Sequence, residues 1–139
     1  KVMRTIKFRG YNLKNNKWIY GYYLVNRGQH FVVEDGIAPP NNTWEDYLVE
    51  ADTIGQFTGL LDKNGKEIYE GDIIRSYDSE NNPIIHSISW DNKKACYVAT
   101  MLQYPLLGGS IDKGWIDEFE KEVIGDVFDN PELLKTETL

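Results

Sequence analysis

Few side chains in this sequence have the type and spacing from which catalysis could be built. They are His30, His86, the single cysteine Cys96, and the carboxylate pair Glu70 and Asp72. A structural zinc site draws its ligands from short-spaced Cys and His pairs, and His30, His86 and Cys96 form none. Cys96 as a nucleophile needs a base within hydrogen-bond reach. His86 is the candidate, because residues 84–90 and 95–101 read as two strands joined by a turn at 91–94. The preferred reading of Cys96 is a small apolar strand residue, since structural cysteines are commonly buried. Glu70 and Asp72 could share acid–base work or a metal, but they flank Gly71 in a turn, and turn chemistry accounts for both. Asp62-Lys63-Asn64-Gly65 opens like a calcium loop. Lys66, Glu67 and Ile73 then stand where that loop needs an oxygen ligand, a glycine and a bidentate glutamate. Gly108-Gly109-Ser110 lacks the lysine of a phosphate loop. No catalytic residue, metal or cofactor is expected.

Binding chemistry has more support. Residues 1–30 carry seven Lys and Arg and no Asp or Glu, while the remainder sums to −14. The same 30 residues hold Phe8, Tyr11, Trp18, Tyr20, Tyr22 and Tyr23. Lys7, Arg9, Lys14, Lys17 and Arg27 could follow a phosphate backbone while Tyr11, Trp18, Tyr20 and Tyr22 stack on bases. Against this, the whole chain has net charge −7 and a pI near 4.8, so most of it repels phosphates. Residues 18, 20 and 22 share one strand face and could equally fill a core. The basic segment therefore has two readings: a partner-binding face, or a hairpin neutralised by the acidic part of its own fold. A second group, Trp44, Tyr47, Tyr104, Leu106, Leu107 and Trp115, sits among acidic residues in the segments 34–50 and 103–118. That composition suits a protein interface. The expected binding residues are Lys7, Arg9, Lys17, Trp18, Tyr20, Tyr22, Trp44 and Trp115. A protein partner is expected, a second copy of the chain included, with single-stranded nucleic acid through residues 7–27 as the alternative.

Strands must position these residues. Residues 4–9 alternate polar and apolar, the period of a half-buried strand. Asn12, Asn15 and Asn16 break the pattern, residues 18–25 read as a second strand from their aromatic and β-branched content, and Asn26-Arg27-Gly28-Gln29 turns into a third strand at 31–33. Residues 34–50 read either as a loop or as a helical turn capped by Thr43. From residue 51 onward, strand-like runs recur every 8–12 residues, broken by turn chemistry at 62–66, 70–72, 79–83 and 91–94. A helical turn is expected over 115–120, a closing strand over 122–128, and a short C-terminal helix opened by Asn130-Pro131. At 139 residues, a core can form without disulfides. No apolar run is long enough for a spanning helix, and the opening residues lack an apolar leader pattern. A cytoplasmic protein without membrane contact is expected.

The run from Gln56 through Asp62-Lys63-Asn64-Gly65-Lys66-Glu67-Ile68-Tyr69-Glu70-Gly71-Asp72 to Ile74 resembles the signature of the YopX family of bacteriophage and prophage proteins. Ile6-Lys7-Phe8-Arg9-Gly10-Tyr11 resembles the family's opening, and residues 123–134 its ending. The resemblance covers almost the whole chain and implies a single domain. Within it, residues 1–33 would form a basic meander and 51–139 a barrel-like core. The Gly-Asp step opening a strand is similar to small SH3-like barrels. The family implies a phage or prophage accessory protein, with no activity attached to particular residues. Its motifs are turn glycines, acidic turn residues and aliphatics, which read as folding instructions.

Overall fold

A computed structural model describes residues 1–34, 43–106 and 108–135, and the chain divides into two compact units, 1–57 and 58–139. The fold is mainly β, as the alternation predicts. Its strands form two five-stranded antiparallel sheets, ordered β3-β2-β1-β4-β5 and β10-β6-β7-β8-β9, and neither closes into a barrel.

In the N-terminal unit, β1 (Phe8–Asn12), β2 (Lys17–Asn26) and β3 (Gln29–Val33) form the expected meander. The strand pattern starts at residue 4, but the ladder starts only at Phe8, opposite Gly21. Asn16 (φ 50°) turns the first hairpin. Arg27 (φ 52°) and Gly28 (φ 76°) close the second between the paired Asn26 and Gln29. Two left-handed residues in a two-residue turn match the right-handed twist of the strands they join.

Ile19, Val32 and Val49 form this unit's core, with Ile54 against it. Gly10 makes room for it, because a Cβ there would lie 2.7 Å from Val49. Asn12 is buried and fully used. Its Nδ2 donates to the carbonyls of Glu45 (3.0 Å) and Leu48 (2.8 Å), and its Oδ1 accepts from the Asn15 N–H (2.7 Å).

Within the segment read as loop or helical turn, residues 43–50 combine a helical turn with irregular backbone. Trp44–Asp46 is a single 3-10 turn, with the Asp46 carboxylate accepting from the Thr43 N–H at 3.1 Å. The chain then bridges the meander's edges. Leu48 pairs with Phe31 of β3, and the Glu50 N–H reaches the Tyr11 carbonyl of β1 at 3.0 Å. Strand β4 (Gly55–Leu61) continues along β1, Gln56 opposite Phe8. Residues 35–42, also part of that expectation, lie outside the described residues.

In the C-terminal unit, β5 (Glu67–Tyr69), β6 (Asp72–Tyr77), β7 (Pro83–Asp91), β8 (Cys96–Met101) and β10 (Glu122–Asp126) fall on the runs that the sequence marks, and a two-residue strand that it does not mark, β9 (Gly109–Ser110), pairs with β8. Ile68, Ile74, Ile88, Ala99 and Val123 make one apolar face, and Ile116 of helix α1 (Lys113–Asp117) covers it. The Asp112 carboxylate caps α1 by accepting from the Trp115 N–H at 2.8 Å. The helix thus begins two residues before the predicted turn. It ends where Phe119 and Glu120 take left-handed angles. The C-terminal helix takes 3-10 form over Pro131–Leu134.

Three aspartates of the sequence motifs, Asp62, Asp72 and Asp126, are internal fittings. Asp62 is buried and accepts from the N–H groups of Asn64 (2.8 Å), Lys66 (2.9 Å) and Val123 (2.9 Å). Asp72 accepts from the Tyr69 N–H at 2.8 Å. Asp126 accepts from Phe128 (2.9 Å) and Asp129 (2.8 Å). At Gly125, the space of a Cβ is occupied by the Asn130 side chain, whose oxygen accepts from the Asp126 N–H at 3.2 Å.

Gly65 has φ +81° and nothing within 4 Å of a built Cβ, so any cost of substitution there is backbone strain alone. Gly65→Val is expected to lose about 1–2 kcal/mol in urea unfolding. Gly65→Asn should lose well under about 1 kcal/mol, because asparagine tolerates the left-handed region. Equal losses would contradict the turn assignment.

Candidate binding surface

The alternation of β2 decides which side chains reach its outer face. Ile19 points into the core, so Trp18, Tyr20 and Tyr22 point the other way. Tyr20 is 41% exposed and Tyr22 57%, so these two do not fill a core. The register places Arg9 beside Tyr20 and Tyr11 beside Trp18, on the same face. The Arg9 guanidinium lies 4.8 Å over the Trp18 ring, and Tyr11 meets that ring edge-on at 5.6 Å. Arg9 is only 5% exposed, so its charge is spent largely inside the fold. Lys7 precedes β1 and fixes β4 through its carbonyl, which accepts from the Phe57 N–H at 2.8 Å. Lys17 is exposed but pairs with Asn12, on the opposite parity from Arg9. The expected basic strip is therefore not one continuous face.

Lys14 shows how the basic hairpin is balanced. Its ammonium lies 2.8 Å from Asp46 and 4.0 Å from Glu45. The hydrogen bond from Lys14 holds the Asp46 carboxyl below its ordinary range, and the same bond raises Lys14. Residues 1–57 hold seven Lys and Arg against six Asp and Glu; residues 58–139 hold eight against sixteen. The N-terminal unit is thus nearly neutral, and the C-terminal unit carries −8. The sequence contrast between residues 1–30 and the remainder does not survive as a contrast of that size between units.

Of the second aromatic group, Trp44 is exposed and rests edge-on against Phe31 at 5.6 Å. Tyr104 and Leu106 are also exposed. Two expectations are corrected. Tyr47 is buried, because its carbonyl accepts from the Val32 N–H and draws the residue into the β3 edge. Trp115 belongs to the C-terminal unit and packs against the core beneath α1 instead of projecting from a loop. Leu107 lies outside the described residues.

The Cys96–His86 pairing is also corrected. The predicted hairpin forms, but its register sets Cys96 opposite Asp91 and His86 opposite Met101, at far ends of the ladder. His86 instead meets Trp115 edge-on at 5.3 Å, with its Nδ1 buried and unpartnered. Lys121 is buried beside the same indole, its ammonium 4.7 Å from the ring centre and donating to the Glu118 carbonyl. Burial, and then the Lys121 charge, push the His86 pKa down to about 4. Burial also lowers Lys121, with Glu118 opposing. Among the described residues, no three His, Cys, Asp or Glu side chains are grouped to hold a metal.

Sequence reasoning missed an open groove of about 610 Å³ in the C-terminal unit, between the β4–β5 turn and α1. Leu60, Leu61 and Ile116 line it together with Lys63, Lys113, Asp117 and Glu120. The one available signal was Leu60-Leu61, two consecutive apolar residues in a strand, of which Leu61 faces solvent.

Fold and surface together define a mainly-β protein that displays aromatic side chains on one face of its first sheet. The chain belongs to the YopX family, which matches residues 7–135 under the description YopX protein. Its fold is similar to that of protein EF1440 from Enterococcus faecalis. The two are 22% identical, the match covers 96% of this chain and all of that one, and the TM-score is 0.59. At that identity the likeness shows the fold alone. No curated protein matches.

The His86 environment predicts an acid sensitivity. Its folded pKa lies below the unfolded value of 6.5, so the unfolded chain binds more protons between pH 6.5 and about 4. The contribution of neutral His86 is present above pH 6.5 and is lost as pH falls through that window, on the order of 2 kcal/mol. Thermal melts of wild type and His86→Gln should therefore converge toward pH 4.5. Parallel curves would contradict it.

Proposed function

We propose that this chain is a non-enzymatic binding module of a phage or prophage, acting in the bacterial cytoplasm. It engages a protein partner through the outer face of β2. The observation that carries this reading is the exposure of two aromatic side chains on one strand face. Tyr20 and Tyr22 stand exposed on an ordered strand, while two cations that a nucleic-acid reading needs are engaged elsewhere. Arg9 lies on Trp18, and Lys14 on Asp46. Tyrosines on a rigid strand bring large contact area at little entropic cost, which suits the centre of a protein interface. The alternative reading keeps Lys7, Lys17 and Arg27 as phosphate contacts and the same tyrosines as stacking platforms.

Tyr20→Ser and Tyr22→Ser should each change folding stability by no more than about 0.5 kcal/mol, because neither side chain supports the core. A photo-crosslinking phenylalanine at position 22, with position 66 as an exposed control, tests the contact in host cells. The expected result is a discrete, protease-sensitive adduct from position 22 alone. A nuclease-sensitive adduct would establish the alternative, and identical behaviour at 22 and 66 would overturn binding through this face.

A further inference from the structure

We propose that α1 is a lid released by acid: protonation of His86 lifts residues 112–119 off the apolar face they cover, while the β6–β7–β8 ladders stay paired. The lid is small and lightly tied. Helix α1 has five residues, and its backbone bonds run from the Ile116 amide to the Asp112 carbonyl and from the Glu118 amide to the Gly114 carbonyl. No strand ladder includes it. Side chains hold it to the sheet: Ile116 is buried in the core, and Trp115 packs against that core. Its C-terminal end is a hinge. Phe119 and Glu120 are consecutive left-handed residues, φ 56° and 47°, a strained conformation for side chains of this size. The backbone just beyond is anchored, because the Lys121 carbonyl accepts from the Lys63 N–H at 3.0 Å.

The latch is a pair of basic groups on one indole. His86 of β7 meets the Trp115 ring edge-on at 5.3 Å, and the Lys121 ammonium lies 4.7 Å from the centre of the same ring. His86 is 7% exposed and Lys121 3%. The Lys121 charge is already engaged by the Glu118 carbonyl and by the rings of Trp115 and Phe119. A second cation has nothing comparable. The His86 Nδ1 is buried without a hydrogen-bond partner, and among the described residues no carboxylate pairs with this ring.

The surrounding elements offer no relief. On β6, Ile74 stands opposite His86, and the Asp72 carboxylate further along accepts from the Tyr69 amide. Arg75 and Glu122 pair with each other on the opposite face of the sheet. On β8, Met101 and Ala99 bring no charge, nor do Leu60, Ile68, Ile111 and Val123 of the core. On the lid, Asp112 caps the helix, Lys113 and Asp117 pair in solvent, and Glu118 is exposed. The charge that bears on His86 is that of Lys121, and it opposes protonation. Protonated His86 therefore regains water only when Trp115 and the lid leave. Ile116 both covers the apolar face and lines the groove beside the β4–β5 turn, so its departure joins that groove to Ile74, Ile88 and Ala99. The device involves neither Tyr20 nor Tyr22, and it fails or stands separately from binding through β2.

Hydrogen exchange of the full chain from about pH 7 to about pH 4.5, corrected for the intrinsic pH dependence of exchange, tests the proposal. The Ile116 and Glu118 amides of wild type should lose protection by about tenfold to hundredfold over that range, because the open form binds a proton that the closed form resists. The amides of the β7–β8 ladder should keep theirs. An apolar dye should bind wild type over the same range, as the face beneath the lid becomes accessible. His86→Gln and His86→Phe have no proton to take up, so both should keep the lid protected and the dye unbound at about pH 4.5. Wild-type lid protection that does not change with pH, loss of the ladder amides together with those of the lid, or opening in both His86 variants equal to wild type would each overturn the proposal.

Discussion

The carboxylate of Asp62 is the contact on which the C-terminal unit depends. Both of its oxygens are buried acceptors. One holds the Asn64 and Lys66 amides and shapes the β4–β5 turn; the other holds the Val123 amide and fixes where β10 begins. Backbone hydrogen bonds reinforce the same junction, from Asp62 to Lys66 and from Lys63 to Lys121. A buried carboxylate is costly unless its lone pairs are used, and backbone N–H groups use them without bringing a counter-charge. Asp72 repeats the device at the next turn, and Asp126 pairs with it across β6 and β10. Asp62, Asp72 and Asp126 are therefore explained by folding.

That explanation also accounts for what was legible in the sequence. Turns closed by short-range chemistry were readable: Asp62 and Gly65 in one, Arg27 and Gly28 in another. Their requirements are local, an acceptor near free amides or a residue that accepts positive φ. The strands were readable because period-two alternation is local too. What could not be read was register and reach. One string of residues allows Cys96 to meet His86; the ladder puts it opposite Asp91. Nothing in the sequence says that Asn12 spans to Glu45 and Leu48, or that Tyr47 is drawn into the β3 edge. Those follow from tertiary placement alone.

The surface was partly legible. Tyr20 and Tyr22 were identified, and the choice between core and surface was settled by a single neighbour, Ile19, which takes the inward position. The basic character of residues 1–30 was real as composition and misleading as electrostatics. Much of it is balanced by acids from residues 34–52 within the same unit, as the Lys14–Asp46 pair illustrates. Charge counted along a chain becomes charge on a surface only after folding has assigned partners. The groove beside α1 was invisible for the complementary reason: its lining residues are distant in sequence and unremarkable one by one.

The central claim is that Asp62 and Asp72 act as internal acceptors that hold the fold. Urea unfolding of Asp62→Ala tests it most directly. Three backbone amides would lose their acceptor, two of them in the turn and one at the start of β10. The predicted loss is about 2–4 kcal/mol. A variant within about 0.5 kcal/mol of wild type would contradict the claim and return the signature's carboxylates to consideration as a chemical site.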